Sequence, residues 1–344
     1  MTEQDTALPR WRDPQWRAGA AEWVDQALRA CGRPRAGEAT ELRALPWSTV
    51  WRVPASGGTV WFKANARGMA HEAGLVAALA GWLPEHVLHP LAVDVGRGWL
   101  LLPDGGTTLR AAQGDQTDLP HWEQVLVEYA GLQRALEPKV DEMLALGVPD
   151  NRPAALPQLR EDLLGDDAAL QTGRPGGITR EQLDRQRAAS SAYARLCADL
   201  AALGIPATLN HDDLHDANVF LTGSPATPYR VFDWGDATVA HPFATLLVTL
   251  RVVSDRCGLA PGAPELLRLR DAYLELWTGE YAVTELREAV RLALRVGGVG
   301  RAACYRRALL EATAAGHEAF GDGVPAWLAE LFEPTPVEPE PPVL

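Results

Sequence analysis

Near the N-terminus, apolar residues recur at helical spacing. Trp16, Ala20, Trp23, Val24 and Ala27 fall on one face. Asp13 supplies a cap, Pro14 suits the first turn, and Gly32 with Pro34 ends the run, so the pattern predicts a helix between them. The period then changes. Three β-prone runs, near 41–45, 49–53 and 59–64, are separated by Pro46 and by Ala55-Ser56-Gly57-Gly58, the second of which is a hairpin signal. A short helix is predicted over 70–80, with Leu75, Val76 and Leu79 on one side, followed by strands at 91–95 and 99–102 about a turn at Gly96–Gly98.

Pro103-Asp104-Gly105-Gly106 punctuates the chain, and helical periodicity dominates beyond it. Trp122, Val125, Leu126, Tyr129, Leu132, Gln133 and Leu136 form one stripe. Thr179 and Gln182 form a capping-box pair opening one long helix, whose face carries Ala189, Ala192, Tyr193, Leu196, Cys197, Leu200 and Leu203. A further helix over 284–296 is expected to stop at Gly297-Gly298. The Pro- and Glu-rich residues 333–344 read as a flexible acidic tail. The resulting division is 1–103, a β-rich region with an N-terminal helix; 104–332, a helical region; and the tail at 333–344.

With 344 residues, 47% of them hydrophobic and 22% charged, the chain can bury a core in each of two regions. A formal charge of −13 disfavours nucleic acid and acidic membrane surfaces as partners. Four scattered cysteines without a CxxC pair read as reduced thiols. No apolar signal segment precedes the first helix, and the longest apolar run, 242–253, is too short to span a bilayer and holds Arg251, so a cytoplasmic protein is expected. Of the twelve tryptophans, eight precede residue 100 among apolar strand positions, which favours packing over ligand stacking. Glu161, Asp162, Asp166 and Asp167 form an acidic group that could meet an amine, although a solvated face or helix-end charges explain them better.

The chemistry concentrates between residues 208 and 236. His211, Asp213, Leu214 and Asn218 make H-x-D-L-x-x-x-N, the catalytic-loop pattern of kinases, and Asp233 closes an apolar run fifteen residues after Asn218. Phosphoryl transfer needs a hydroxyl aimed at the γ-phosphorus and cations that neutralise phosphate charge. Asp213 can accept the hydroxyl proton, while the amide oxygen of Asn218 and the carboxylate of Asp233 are hard ligands suited to Mg²⁺. His211 is expected to brace the loop.

This segment resembles the H-G-D-L-H-x-x-N signature of the aminoglycoside phosphotransferases and their choline kinase and homoserine kinase relatives, and Asp233-Trp234-Gly235-Asp236 is similar to their metal-binding D-W motif. The resemblance runs from about residue 47 to 243. It implies an α+β, bilobal protein kinase-like fold with a small antiparallel N-lobe and a mostly helical C-lobe. It also implies ATP and Mg²⁺ as cofactors, and a small alcohol as phosphate acceptor: an amino alcohol, an aminoglycoside or a sugar-like molecule. By the same resemblance Asp213 is the base, Asn218 and Asp233 hold the metal, and His211, His215 and Asp236 support them. Lys63 fits the lysine that contacts the α- and β-phosphates, Glu72 its ion-pair partner, and Leu102 with Asp104 a hinge whose backbone pairs with adenine. Ser48 and Thr49, in a nucleotide-covering turn without glycines, are expected to offer hydroxyls to phosphate. Two signature positions differ. Asp212 stands where the family has glycine, and Thr245 where it has a bracing aspartate.

Two other readings use the same residues. A catalytically silent member of the fold would explain the glycine-free turn. A metal-dependent hydrolase would use His211, Asp213 and His215, which share one face if the backbone is extended; it leaves Asn218, Asp233, Lys63 and Glu72 without a role.

Overall fold

The computed structural model describes residues 6–114 and 117–342. The chain forms two compact units, each assembled from three segments. Unit 1 contains Met1–Thr107, Phe220–Gly235 and Tyr305–Gly321; unit 2 contains Thr108–Val219, Asp236–Cys304 and Asp322–Leu344. The single cut at residue 103 expected from the sequence therefore differs from the observed division, because two later segments return to unit 1.

In unit 1, helix α1 (Pro14–Ala30) begins where Asp13 Oδ1 accepts the Trp16 N–H at 2.8 Å. Strands β1 (Thr40–Ala44), β2 (Ser48–Ala55), β3 (Gly58–Asn65), β4 (Ala92–Asp94) and β5 (Trp99–Pro103) form one antiparallel sheet in the order β1-β2-β3-β5-β4. The β2–β3 hairpin turns through Ser56-Gly57, and φ of 84° at Gly57 and 125° at Gly58 explains the glycine pair. Ala20, Val24 and Leu28 of α1 share a core with Trp51, Phe62 and Trp99 of the sheet. Trp16 meets Trp51 and Trp99 edge-on at 5.9 and 5.8 Å, so these tryptophans act as packing. Helix α2 (His71–Trp82) follows β3 and carries Glu72 in its first turn.

Unit 2 is mostly helical. Helix α3 (Leu119–Leu136) buries the stripe from Trp122 to Leu136. Helix α4 (Leu156–Leu164) buries Arg160 completely. The capping box at Thr179 and Gln182 forms as expected, but the predicted long helix is two: α5 (Arg180–Ala188) and α6 (Ser190–Ala202). The break coincides with a contact from a residue distant in sequence. The Arg160 guanidinium donates to the Gln186 carbonyl at 2.5 Å and to Ser190 Oγ at 2.9 Å. Gln186 oxygen is the acceptor that an unbroken helix would give to the Ser190 N–H.

Strands β6 (Asp150–Asn151), β7 (Thr208–Asn210) and β10 (Thr238–Ala240) make a three-stranded sheet, and β8 (Val219–Leu221) pairs with β9 (Tyr229–Val231). Helices α7 (Leu246–Cys257) and α8 (Pro264–Leu274) follow. The last long helix, α9 (Val283–Ala308), does not stop at Gly297-Gly298. The glycines serve close approach instead: a Cβ at Gly298 would lie 2.6 Å from the Trp327 carbonyl oxygen, and one at Gly300 2.8 Å from Asn151 Nδ2. The expected tail also packs. Thr335 is buried and Glu338 pairs with Arg295 of α9 at 3.0 Å; residues 343–344 lie outside the described residues.

Among the described residues, no helix is long and apolar enough to cross a membrane. No disulfide joins the four cysteines, and Cys197 and Cys304 are buried.

Candidate active site

The residues singled out from the sequence lie in two clusters, one in each unit. In unit 1, β3 ends with Lys63 and Asn65, α2 begins with Glu72, and the segment after β9 delivers Asp233. The Lys63 ammonium lies 2.6 Å from Glu72 Oε2 and 2.5 Å from Asp233 Oδ1. Glu72 is 1% exposed and fully engaged: Oε2 also accepts from Asn65 Nδ2 at 2.8 Å, and Oε1 accepts the Trp234 N–H at 3.0 Å. Burial opposes the charge on Lys63, but Asp233 and Glu72 outweigh it and hold the ammonium protonated above its ordinary range. Asp233 has φ of 65°, a backbone conformation unusual for a non-glycine residue, and its Oδ2 lies 3.9 Å from the Arg43 guanidinium.

Leu102 and Asp104 also belong to unit 1. Leu102 pairs with Trp61 in the sheet, and Asp104 Oδ1 accepts the Gly106 N–H at 3.1 Å. Gly105 permits a close approach, since a Cβ there would sit 2.2 Å from the Phe220 ring. Phe220 in turn stacks on Phe232, centroids 4.0 Å apart and planes 17° apart. This stacked pair was missed in the sequence because two phenylalanines in short β runs look like ordinary core.

Ser48 and Thr49 correct an expectation. Both belong to β2 rather than to a turn, opposite Asn65 and Ala64. They are 1% and 0% exposed, and the Thr49 hydroxyl donates to the Arg43 carbonyl at 3.1 Å. Neither hydroxyl faces outward. The turn is closed by Trp47, packed edge-on against Phe320 at 5.0 Å.

In unit 2, β7 leads into the loop carrying the signature. His211 is fully buried; its N–H donates to the Tyr129 hydroxyl at 2.8 Å and its Nδ1 accepts the Asp213 N–H at 3.3 Å. Asp213 Oδ2 meets Asn218 Nδ2 at 3.2 Å and His215 Nε2 at 3.3 Å. His215 Nδ1 accepts the Ala217 N–H, which assigns its ring proton to Nε2, facing Asp213. Asp216, 0% exposed, anchors the loop to Arg110 at 2.6 Å and Arg256 at 3.2 Å. Burial pushes the Asp213 carboxyl up, but the His215 hydrogen bond and the charges of Arg301, His215 and His211 outweigh it and hold it below the usual carboxylate range.

The two signature departures are accommodated. Asp212 has φ of 62°, which explains a glycine at this position in the family. Its side chain does not face solvent: Asp212 is 6% exposed and its Oδ1 accepts from Asn210 Nδ2 at 3.2 Å. Thr245 supplies bracing through its hydroxyl, which donates to Asn210 Oδ1 at 2.7 Å.

Arg301 of α9 was not found from the sequence. It is 6% exposed at its side chain and reaches Asp236 Oδ2 at 3.0 Å and Asp213 Oδ1 at 3.8 Å. The expected helix stop at Gly297-Gly298 concealed it.

An amide oxygen and a carboxylate are hard donors, chemically suited to a divalent cation. Asn218 Nδ2 donates to the Asp213 carbonyl and carboxylate at 3.0 and 3.2 Å, so its amide oxygen points away from both. The hydrolase arrangement does not form. The left-handed turn at Asp212 breaks the extended backbone that would align His211, Asp213 and His215, and among the described residues no three His, Cys, Asp or Glu side chains are grouped to hold a metal.

Comparison with known proteins agrees with this architecture. No curated protein matches the chain in a sequence search. Solved structures with a similar fold include a macrolide 2′-phosphotransferase from Brachybacterium faecium, with 19% identity, TM-score 0.53, and coverage of 88% of this chain and 98% of that one. An ethanolamine kinase from Plasmodium vivax has 11% identity, TM-score 0.56, and coverage of 86% and 80%. A choline/ethanolamine kinase family protein from Mesorhizobium loti has 18% identity, TM-score 0.51, and coverage of 91% and 95%. At these identities the likeness establishes the α+β, protein kinase-like fold. The sequence pattern of the phosphotransferase enzyme family (APH) matches residues 43–286, most of the chain, and the protein belongs to that family.

Proposed function

We propose that the protein is an ATP- and Mg²⁺-dependent kinase that transfers the γ-phosphate to a hydroxyl of a small molecule. The observation that carries this reading is the Lys63 ammonium held between Glu72 and Asp233 at 2.6 and 2.5 Å. A buried lysine kept charged by two carboxylates is costly to build, and it matches the phosphate-contacting lysine and its partners in this fold.

The roles follow from chemistry. Lys63 meets phosphate oxygens. Glu72 fixes Lys63 and, through the Trp234 N–H, the backbone that presents Asp233. Asp233 and Asn218 are the residues that would hold Mg²⁺, which would supply charge to offset that of the phosphates. Asp213 stays ionised and accepts the proton of the acceptor hydroxyl as the O–P bond forms. His215 and Asn218 hold one carboxylate oxygen of Asp213, which directs the other toward the acceptor. Leu102 and Asp104 line adenine with backbone groups, and the stacked Phe220–Phe232 pair offers it an apolar face. Ser48 and Thr49 take no part.

The relatives named above act on macrolides and on choline or ethanolamine, which makes hydroxylated amines and sugar-bearing molecules the first acceptors to test. An ATP-consumption screen over amino alcohols, aminoglycosides, macrolides and simple sugars should give acceptor-dependent ADP formation that disappears without Mg²⁺. ADP formation that is independent of every acceptor and of metal would contradict the proposal. A silent, scaffold-like member is the second reading; the closed, glycine-free turn at Trp47 and Phe320 favours it, and absence of Mg·ATP binding would establish it.

A further inference from the structure

Unit 2 buries a cation where the sequence offers no motif for one. The Arg301 guanidinium donates through Nη1 to the Asp212 carbonyl at 2.7 Å and to Asp236 Oδ2 at 3.0 Å. The same nitrogen lies 3.7 Å from Asp212 Oδ2, and Nη2 lies 3.8 Å from Asp213 Oδ1. Trp327 covers the group, its ring 5.5 Å from the guanidinium carbon. One side chain thus faces three carboxylates and the peptide that leads directly into Asp213.

Without that cation, the carboxylates of Asp212, Asp213 and Asp236 would repel one another, most of all at the buried Asp212. The peptide that Arg301 grips follows Asp212, whose left-handed backbone is the least comfortable in the loop. Asp213 is held on its other oxygen by Asn218 and His215. Arg301 supplies the restraint on the opposite side, at Oδ1. A planar fork with several donors can hold a carbonyl and a carboxylate at once, which a lysine ammonium does less well.

We propose that Arg301 is a positioning residue of the transfer site: by tying the Asp212 carbonyl to the Asp236 carboxylate, it fixes the direction in which Asp213 presents Oδ1. The inference rests on the reading of Asp213 as base. Asp212 and Arg301 then act as a pair. The carboxylate that replaces the family glycine is accommodated because α9 continues through Gly297-Gly298 and brings a guanidinium to it.

The test uses the full chain and the variants Arg301→Gln and Arg301→Lys, with Mg·ATP as probe and water as acceptor. Arg301→Gln should lower kcat for phosphate release about a hundredfold, as a misdirected catalytic group does. KM for ATP should stay within about twofold. Amide hydrogen exchange should rise across residues 211–218 and stay unchanged in unit 1. Arg301→Lys should restore about tenfold of the lost turnover. Unchanged kcat in Arg301→Gln overturns the proposal, as does a parallel loss of kcat, ATP affinity and protection throughout the chain. If Arg301→Gln does not fold, wild-type turnover in Arg301→Lys overturns it, and reduced kcat at constant KM supports it. If the wild-type protein neither binds nor turns over ATP, the kinase reading fails. Exchange at 211–218 then decides the placement of the loop by Arg301: unchanged exchange in either variant overturns it.

Discussion

Glu72 Oε1 accepts a hydrogen bond from the Trp234 N–H at 3.0 Å, while its Oε2 pairs with Lys63 at 2.6 Å. One buried carboxylate therefore places both the Lys63 ammonium and the backbone next to Asp233. Glu72→Ala removes the bonds to Lys63, Asn65 and Trp234 and leaves the ammonium with Asp233 alone. The expected cost is about 3 kcal/mol, read as a lower midpoint in urea denaturation. A loss under about 0.5 kcal/mol would show that Glu72 organises little.

The glycines of α9 give a steric prediction with an internal control. Gly298→Ala forces a Cβ to within 2.6 Å of a carbonyl oxygen, and should destabilise by about 1–3 kcal/mol despite the better helix propensity of alanine. Gly19→Ala in α1 meets nothing within 4 Å and should stabilise by about 0.5–1 kcal/mol. Thermal melting of both variants checks the pair; equal shifts would refute the packing role of Gly298.

His241 predicts acid sensitivity. Its ring is buried, Nδ1 accepts the Phe243 N–H at 3.2 Å, and Nε2 has no partner. Burial pushes its pKa down from 6.5 to about 3. The unfolded chain therefore takes up a proton as pH falls below 6.5, whereas the folded chain does not until about 3. The stabilisation is fully present above 6.5 and is lost progressively through that window, with a total on the order of 5 kcal/mol. His241→Asn keeps an acceptor for the cap and should flatten the pH dependence of urea stability between pH 6 and 3. An unchanged slope would place the acid sensitivity elsewhere.

Much of this was legible in the sequence, for physical reasons. The hairpin at Gly57-Gly58, the cap at Asp13 and the capping box at Thr179 are local, and local chemistry determined them. The Lys63–Glu72 pair could be read because strand and helix periodicity placed both residues. The failures involve partners distant in sequence. Arg160 breaks a helix that its own residues would continue, and Gly297-Gly298 continues a helix that its own residues would end. Ser48 and Thr49 were placed in a turn, whereas the strand already begins at Ser48 and pairs with the end of β3. Arg301 could have been found only by following α9 past its glycines.

Asp213→Asn should keep the loop hydrogen bonds in outline, since an amide retains one oxygen, yet lack the proton acceptor. Acceptor-dependent turnover should fall by at least about a hundredfold, while affinity for Mg·ATP stays within about threefold. Joint loss of folding and nucleotide affinity would assign Asp213 a structural role.

The central claim is most directly tested by calorimetric titration of ATP into the wild-type protein and Asp233→Ala, each with and without Mg²⁺. Wild-type protein should bind ATP more tightly with Mg²⁺ than without it, and Asp233→Ala should lose that metal dependence. Absence of ATP binding by the wild-type protein, or the same Mg²⁺-enhanced affinity in Asp233→Ala, would contradict the account.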